Sequence, residues 1–132
     1  MIVPDASVVV ELLINGPLAE IVGRDLMRSG QALIVPHLLD IEVMTAVRTL
    51  TAGRRIDSHT GHAVLNGLYL LPAERCSHTP LLPRIWELRH NFTAYDAAYI
   101  ALAEATGSVL YTCDAKLAKG HRAKVVFYGN RL

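Results

Sequence analysis

Residues 93–107 of the chain read TAYDAAYIALAEATG, and residues 109–112 after them read VLYT. The first segment places apolar side chains on nearly every side of a helix, so it predicts a helix that is buried almost all round. The second segment is a short apolar run, which is typical of a buried strand. A buried helix followed by a buried strand indicates an α/β fold with a parallel sheet.

The same alternation of short strand-like runs and longer helical patterns extends along the chain and predicts helices on both faces of the sheet. We expect strands at residues 2–4, 33–35, 74–76, 109–112 and 125–128. We expect helices at residues 6–13, 18–28, 37–51, 58–70, 81–90, 93–106 and 115–119. Because the 132 residues contain no repeat and no linker-like segment, residues 1–132 are expected to form a single domain.

The composition limits the classes of function. The formal net charge is +1, from 13 Lys and Arg against 12 Asp and Glu, so any site for a polyanion must be local. No run approaches the roughly 20 apolar residues of a membrane helix, and the N-terminal segment MIVPDAS lacks the features of a signal peptide. Cys76 and Cys113 are far apart and outside any CxxC pattern. We therefore expect a cytoplasmic protein without a disulfide framework and without a membrane partner.

Two acidic residues lie just after the ends of predicted strands. Asp5 follows the first strand, and Asp114 follows the fourth by two residues. Ligands of open α/β sheets bind beyond the carboxyl ends of the strands, which makes both acids candidates for a functional site. Each also precedes a predicted helix, where Asp is a favoured N-cap and needs no further function. Both interpretations stay open.

Two further acids lie on predicted helices. Glu42 is only about 60° around its helix from Leu39, a member of the apolar stripe, whereas Arg48 lies about opposite that stripe. A simpler interpretation is that Glu42 reaches water past the edge of the stripe. Asp96 falls in the first turn of the buried helix, where Thr93 is a possible cap and a negative charge suits the helix N-terminus.

Buried carboxylates without partners are costly. If these four acids converge, their repulsion must be relieved by protonation or by cations. Hard divalent cations with oxygen ligands are the usual solution.

The segments MIVPDAS, DIEVMTAV, TAYDAAYIALAEATG and LYTCDAKLAKG resemble, in order and spacing, the four acidic motifs of PIN domains. The resemblance spans nearly the whole chain and is greatest to the toxins called VapC of bacterial toxin–antitoxin pairs. It implies that the metal-binding and catalytic residues are an acidic quartet of Asp5, Glu42, Asp96 and Asp114. It also implies supporting roles for the hydroxyls of Ser7 and Thr112, and a structural role for the aromatic residue Tyr95.

The resemblance further implies a PIN-like three-layer α/β/α fold with a five-stranded parallel sheet in the order 3-2-1-4-5. The expected activity is Mg²⁺- or Mn²⁺-dependent endoribonuclease cleavage of tRNA, rRNA or mRNA. A homodimer and a cognate VapB-like antitoxin are the implied assemblies. Residues 53–83 carry no family signature, so the choice of RNA lies beyond the resemblance.

The chemistry of phosphodiester hydrolysis suggests a division of roles. One or two Mg²⁺ ions provide charge neutralisation and help to activate and align a water. We hypothesise that Asp5, Asp96 and Asp114 contact the metal directly or through water, and that Glu42 positions or deprotonates the attacking water. Because water and not the RNA 2′-hydroxyl is the nucleophile, the expected products carry 5′-phosphate and 3′-hydroxyl ends.

Basic residues beyond the fourth acid are candidate phosphate contacts. They are Lys116, Lys119, Arg122 and Lys124. Ordinary solvated side chains are an equally good interpretation of each, and the same holds for Arg54 and Arg55.

Three alternatives remain. A catalytically silent PIN scaffold that binds RNA or protein would carry the same motifs. A phosphate-accepting receiver domain shares the architecture, but it needs adjacent acids after the first strand, where this chain has Asp5 alone. A zinc site would draw on Cys76, His78, His59 and His62. Their spacing is generic, so surface histidines are the simpler interpretation. Neither GxGxxG nor GxxxxGK[ST] occurs, so nucleotide-binding loops have no support.

Overall fold

Five parallel strands form one sheet in the computed structural model, which describes residues 1–129. The strands are β1 (Ile2–Pro4), β2 (Leu33–Pro36), β3 (Ala73–Cys76), β4 (Val109–Thr112) and β5 (Lys124–Phe127). Their order across the sheet is β3-β2-β1-β4-β5, and every neighbouring pair is parallel. The predicted strand order is therefore confirmed.

Within residues 1–129, six α-helices connect the strands. They are α1 (Ala6–Leu13), α2 (Ala19–Ser29), α3 (Leu38–Ala52), α4 (Ser58–Leu70), α5 (Leu82–Glu87) and α6 (Ala94–Thr106). Two 3₁₀ turns, Thr79–Leu81 and Ala115–Leu117, precede α5 and β5. No helix within the described residues is both long enough and apolar enough to cross a membrane.

Two predicted helices are shorter than expected. The segment 81–90 is α-helical only over Leu82–Glu87, because the chain then tightens into turns in which Arg89 N bonds Trp86 O and Asn91 N bonds Leu88 O. The segment 115–119 forms a single 3₁₀ turn, and Gly120 follows with a φ of 93°, which a continuing helix does not allow.

Apolar side chains fill both faces of the sheet. The larger cluster packs α3, α4 and α6 against one face and includes Leu39, Val64 and Ile100. The smaller cluster packs α2 against the other face around Val8 and Val22, while α1 contributes Val8 to this cluster and Val9 to the larger one. Helix α6 is buried at every position from Ala97 to Ala103, as its sequence predicts, because its alanines allow it to lie close to the strands.

The strand order changes direction between β1 and β4. From β1 the chain moves outward through β2 and β3, then returns to place β4 on the other side of β1. Pro4 pairs with Tyr111 at this boundary, and Asp5 N donates to Tyr111 O at 3.0 Å. The carboxyl ends of β1 and β4 therefore diverge into a crevice at the topological switch point, where open α/β sheets bind ligands.

Candidate active site

A cavity of about 410 Å³ opens at the carboxyl ends of β1 and β4. The whole acidic quartet lines it, although its members come from four separate parts of the sequence. The remaining lining residues are Ala6, Ser7, Val10, Ala46 and Tyr99. The structure therefore brings the four carboxylates together at one cavity.

Asp5 is the most deeply buried member of the quartet, with 4% of its surface exposed. It caps α1 by accepting from Val8 N at 3.1 Å, and it also accepts from the hydroxyls of Ser7 and Thr112, each at 2.5 Å. Burial raises the pKa of Asp5, while these hydrogen bonds act in the opposite direction. Asp5 is thus both a helix cap and a wall of the cavity.

Ser7 and Thr112 join the ends of the two central strands. Ser7 Oγ accepts from Cys113 N at 2.9 Å while its hydroxyl donates to Asp5. Thr112 Oγ1 accepts from Asp114 N at 2.9 Å while its hydroxyl donates to the other oxygen of Asp5. The two hydroxyls predicted to support the site therefore hold Asp5 from both sides and fix the backbone that leads to Asp114.

Asp114 and Asp96 approach the cavity from β4 and α6. Asp114 accepts from Lys116 N at 2.9 Å, so it caps the 3₁₀ turn as the simpler interpretation predicted. Asp96 N donates to Thr93 Oγ1 at 3.1 Å, which confirms Thr93 as the cap of α6. Burial raises the pKa of Asp96, and the negative charge of Asp114 raises it further. Tyr95 is 62% exposed and lies outside the core.

Glu42 completes the cavity from α3. Its Oε1 is buried and has no hydrogen-bond partner within residues 1–129, so this oxygen does not reach water past the apolar stripe. Burial raises the pKa of Glu42, and the charges of Asp96 and Asp5 add to the increase. The Tyr99 hydroxyl acts in the opposite direction, since it lies close to the carboxylate.

The donor set of the cavity fits a hard divalent cation. All four charged side chains are carboxylates, and burial disfavours the ionised form of three of them. In the described part of the chain, no three His, Cys, Asp or Glu side chains stand close enough to hold a metal ion by themselves. Mg²⁺ usually keeps several waters and needs only one or two carboxylates, so a cavity of about 410 Å³ lined by four carboxylates suits it.

The predicted RNA-contacting residues separate into two groups. Lys116 lies near the cavity, since its backbone N donates to Asp114 at 2.9 Å, and its charge lowers the pKa of Asp96. Arg122 N donates to Glu104 near the C-terminal end of α6, about 12 Å along the helix from Asp96. Lys124 begins β5, and the amino end of a parallel strand is opposite the cavity. The positions of Arg122 and Lys124 therefore do not support contacts with RNA bound at the cavity. Lys119 is exposed and does not line the cavity.

The other candidate residues lie elsewhere. Arg54 and Arg55 line a separate depression with Asp57, away from the acidic cavity. His59 and His62 are exposed on α4, and they form no metal-binding group with Cys76 within residues 1–129. Tyr99 was not predicted. Its spacing of three residues from Asp96 on one helix was the available signal.

The chain is similar to known proteins in both sequence and fold. The PIN domain family model matches residues 2–123. The chain is 39% identical over 127 residues to ribonuclease VapC12 of Mycobacterium tuberculosis, covering 95% of this chain and 97% of that protein. Over 124 residues it is 38% identical to ribonuclease VapC9 of the same organism, covering 94% of each. A toxin–antitoxin complex from Klebsiella pneumoniae has a TM-score of 0.70 at 17% identity, with 96% of both chains covered.

The sheet order and the four carboxylates at the switch point define a PIN-like domain, a class in which an acidic cavity is built on a small three-layer fold. The sequence relatives identify the subfamily, because the ribonucleases VapC12 and VapC9 match almost the full length of the chain. The chain belongs to the PIN-domain family and, within it, to the VapC ribonucleases.

Proposed function

We propose that the chain is the toxin of a type II toxin–antitoxin system and acts as a metal-dependent endoribonuclease on tRNA, rRNA or mRNA. The observation that carries the proposal is the convergence of the acidic quartet on one cavity at the switch point. Kinship with VapC ribonucleases over 95% of the chain supports the choice of RNA as substrate.

The four carboxylates have distinct roles in the proposed reaction. Asp5, Asp96 and Asp114 hold Mg²⁺ or Mn²⁺ directly or through water. When bound, the ion neutralises charge on the phosphodiester and helps to align it with the attacking water. Ser7 and Thr112 keep Asp5 in place through the hydrogen bonds described above.

Glu42 is the proposed base, since its carboxylate lines the same cavity from helix α3. It accepts a proton from the attacking water as the water oxygen bonds to phosphorus. The bond from phosphorus to the 3′-oxygen breaks, and that oxygen takes up a proton. The products then carry a 5′-phosphate and a 3′-hydroxyl.

The partners follow from the same site. A VapB-like antitoxin would place an Arg or Lys across the cavity, because a guanidinium pairs well with carboxylates. The Klebsiella pneumoniae structure, a toxin–antitoxin complex of the same fold, supports an antitoxin as the partner. We also propose a homodimer and a cytoplasmic location, with which the free thiols of Cys76 and Cys113 are compatible.

Metal removal tests the enzymatic proposal. RNA cleavage by the purified chain should stop after treatment with EDTA and return when Mg²⁺ or Mn²⁺ is added, whereas Ca²⁺ should support little turnover because its looser geometry aligns the attack poorly. The cleaved ends should be 5′-phosphate and 3′-hydroxyl. Undiminished cleavage without metal, or a 2′,3′-cyclic phosphate product, would exclude this mechanism. A chain that binds RNA but never cleaves it would be a silent scaffold.

A further inference from the structure

Tyr99 is a buried residue that lines the acidic cavity and has no role in the reaction proposed above. Its side chain is 1% exposed, and it lies one turn after Asp96 on the same side of α6. The hydroxyl is buried and has no hydrogen-bond partner within residues 1–129. Leaving a hydroxyl unpaired in the interior is costly, and phenylalanine would fill the same space without that cost.

The cavity that holds the unpaired hydroxyl of Tyr99 also holds an unpaired acceptor. Glu42 Oε1 is also buried and also has no partner among the described residues, and both side chains line the same cavity. The two groups already influence each other, because the hydroxyl lowers the pKa of Glu42 and the carboxylate contributes to the raised pKa of Tyr99. One is a donor and the other an acceptor, so a hydrogen bond between them would satisfy both.

Among the cavity-lining residues of the described segment 1–129, no other side chain has a donor free for Glu42. The Ser7 hydroxyl already donates to Asp5. Val10 and Ala46 offer no polar side-chain atom, and the remaining acids repel a carboxylate. Within the described residues that line the cavity, the Tyr99 hydroxyl is therefore the side-chain donor that remains for Glu42.

We propose that Tyr99 is a positioning residue, whose hydroxyl donates a hydrogen bond to one oxygen of Glu42 and directs the other oxygen toward the attacking water. This inference rests on the proposed ribonuclease function. A glutamate on a helix has several rotatable bonds, so a fixed partner restricts it to the orientation that the reaction needs. Misplacement of a reacting group by about 1 Å costs on the order of a hundred-fold in rate.

A double-mutant cycle tests the proposal. Tyr99→Phe should lower kcat by roughly ten- to a hundred-fold and leave the KM for RNA unchanged, because the hydroxyl contacts Glu42 and not the substrate. In a Glu42→Gln background the same change should alter kcat by less than about two-fold, since the group that Tyr99 positions is already lost. Tyr128→Phe is the matched control. It removes another buried hydroxyl, which donates to Asp25 at 2.7 Å outside the cavity, and it should leave kcat unchanged.

Two results of the cycle would overturn the positioning role. One is full activity in Tyr99→Phe. The other is an equal loss of kcat in both backgrounds, which would mean that the tyrosine supports the fold and not Glu42.

An NMR measurement covers the case in which Tyr99→Phe does not fold. In ¹³C-tyrosine-labelled protein, Glu42→Gln should shift the ζ-carbon resonance of Tyr99 and leave that of Tyr128 in place. An unmoved Tyr99 resonance contradicts the contact. If the wild type fails to cleave RNA with Mn²⁺ present, the ribonuclease proposal is wrong, whereas the resonance still decides whether Tyr99 contacts Glu42.

Discussion

At the scale of single residues, Asp5 shows that a structural and a functional interpretation of one acid are compatible. Its Oδ1 caps α1, and its Oδ2 accepts from Thr112, while the carboxylate as a whole lines the cavity. The sequence predicts either role, because Asp after a strand and before a helix suits both. Only the three-dimensional structure shows that the Asp5 carboxylate caps α1 and lines the cavity at the same time.

Thr112 provides a test of the hydrogen bonds around Asp5. Thr112→Val keeps the shape of this fully buried side chain but removes a donor to Asp5 and an acceptor for Asp114 N. We expect a loss of about 1 to 3 kcal/mol in the free energy of unfolding, because buried polar groups lose their partners. Cleavage should fall as well. Urea denaturation and an RNA cleavage assay measure the two effects.

Thr49→Val is the matched control for this substitution. The Thr49 hydroxyl is exposed and bonds only to Thr45 O of its own helix, so the expected change in stability is within about 0.5 kcal/mol. A Thr112→Val protein that is as stable and active as the wild type would contradict the proposed role of these hydrogen bonds.

At the scale of elements, burial patterns predicted α6 well and short turns poorly. An almost wholly apolar segment has few ways to satisfy the hydrophobic effect except a buried helix, and Ala97 to Ala103 form one. The segment 115–119 has no such constraint. Its first residues are fixed by the Asp114 cap and its end by Gly120, which leaves a single 3₁₀ turn.

The close packing of α6 predicts different costs at two alanines of the same helix. Ala103→Leu places a larger side chain where the native residue is 0% exposed, so we expect a loss of about 1 to 3 kcal/mol in stability. Ala105 is exposed on α6, and Ala105→Leu should change stability by less than about 0.5 kcal/mol. Thermal denaturation of the two variants checks this. Equal losses of stability in the two variants would contradict the close packing of α6 around Ala103.

At the scale of the whole molecule, the strand order explains why the shared location of Asp5 and Asp114 was predictable and the positions of the basic residues were not. Acids that follow β1 and β4 must share one edge of a parallel sheet, so sequence position is informative. Arg122 and Lys124 are also close to Asp114 in sequence. The chain between them crosses to the amino edge before β5 begins, and sequence proximity does not reveal that path.

Two aspartates, one in the cavity and one outside it, make the stability of the whole molecule depend on pH in opposite ways. The folded pKa of Asp96 is raised, so its contribution to stability is fully present below the ordinary value of 3.8 and is lost as pH rises through the folded value. Asp57, which caps α4 by accepting from Thr60 N at 2.7 Å, has a lowered pKa. Its contribution is present above 3.8 and is lost as pH falls, so the two aspartates have opposite signs.

Binding of a divalent cation by the acidic quartet is tested most directly by melting temperatures measured across pH. The proteins to compare are the wild type, Asp96→Asn and Asp57→Asn. In EDTA, Asp96→Asn should become more stable than the wild type as pH rises, since it removes a repelled charge. Asp57→Asn should become less stable. Added Mn²⁺ at neutral pH should raise the melting temperature of the wild type and Asp57→Asn equally, and that of Asp96→Asn much less. An equal Mn²⁺ effect in all three proteins, or none in the wild type, would contradict cation binding by the quartet.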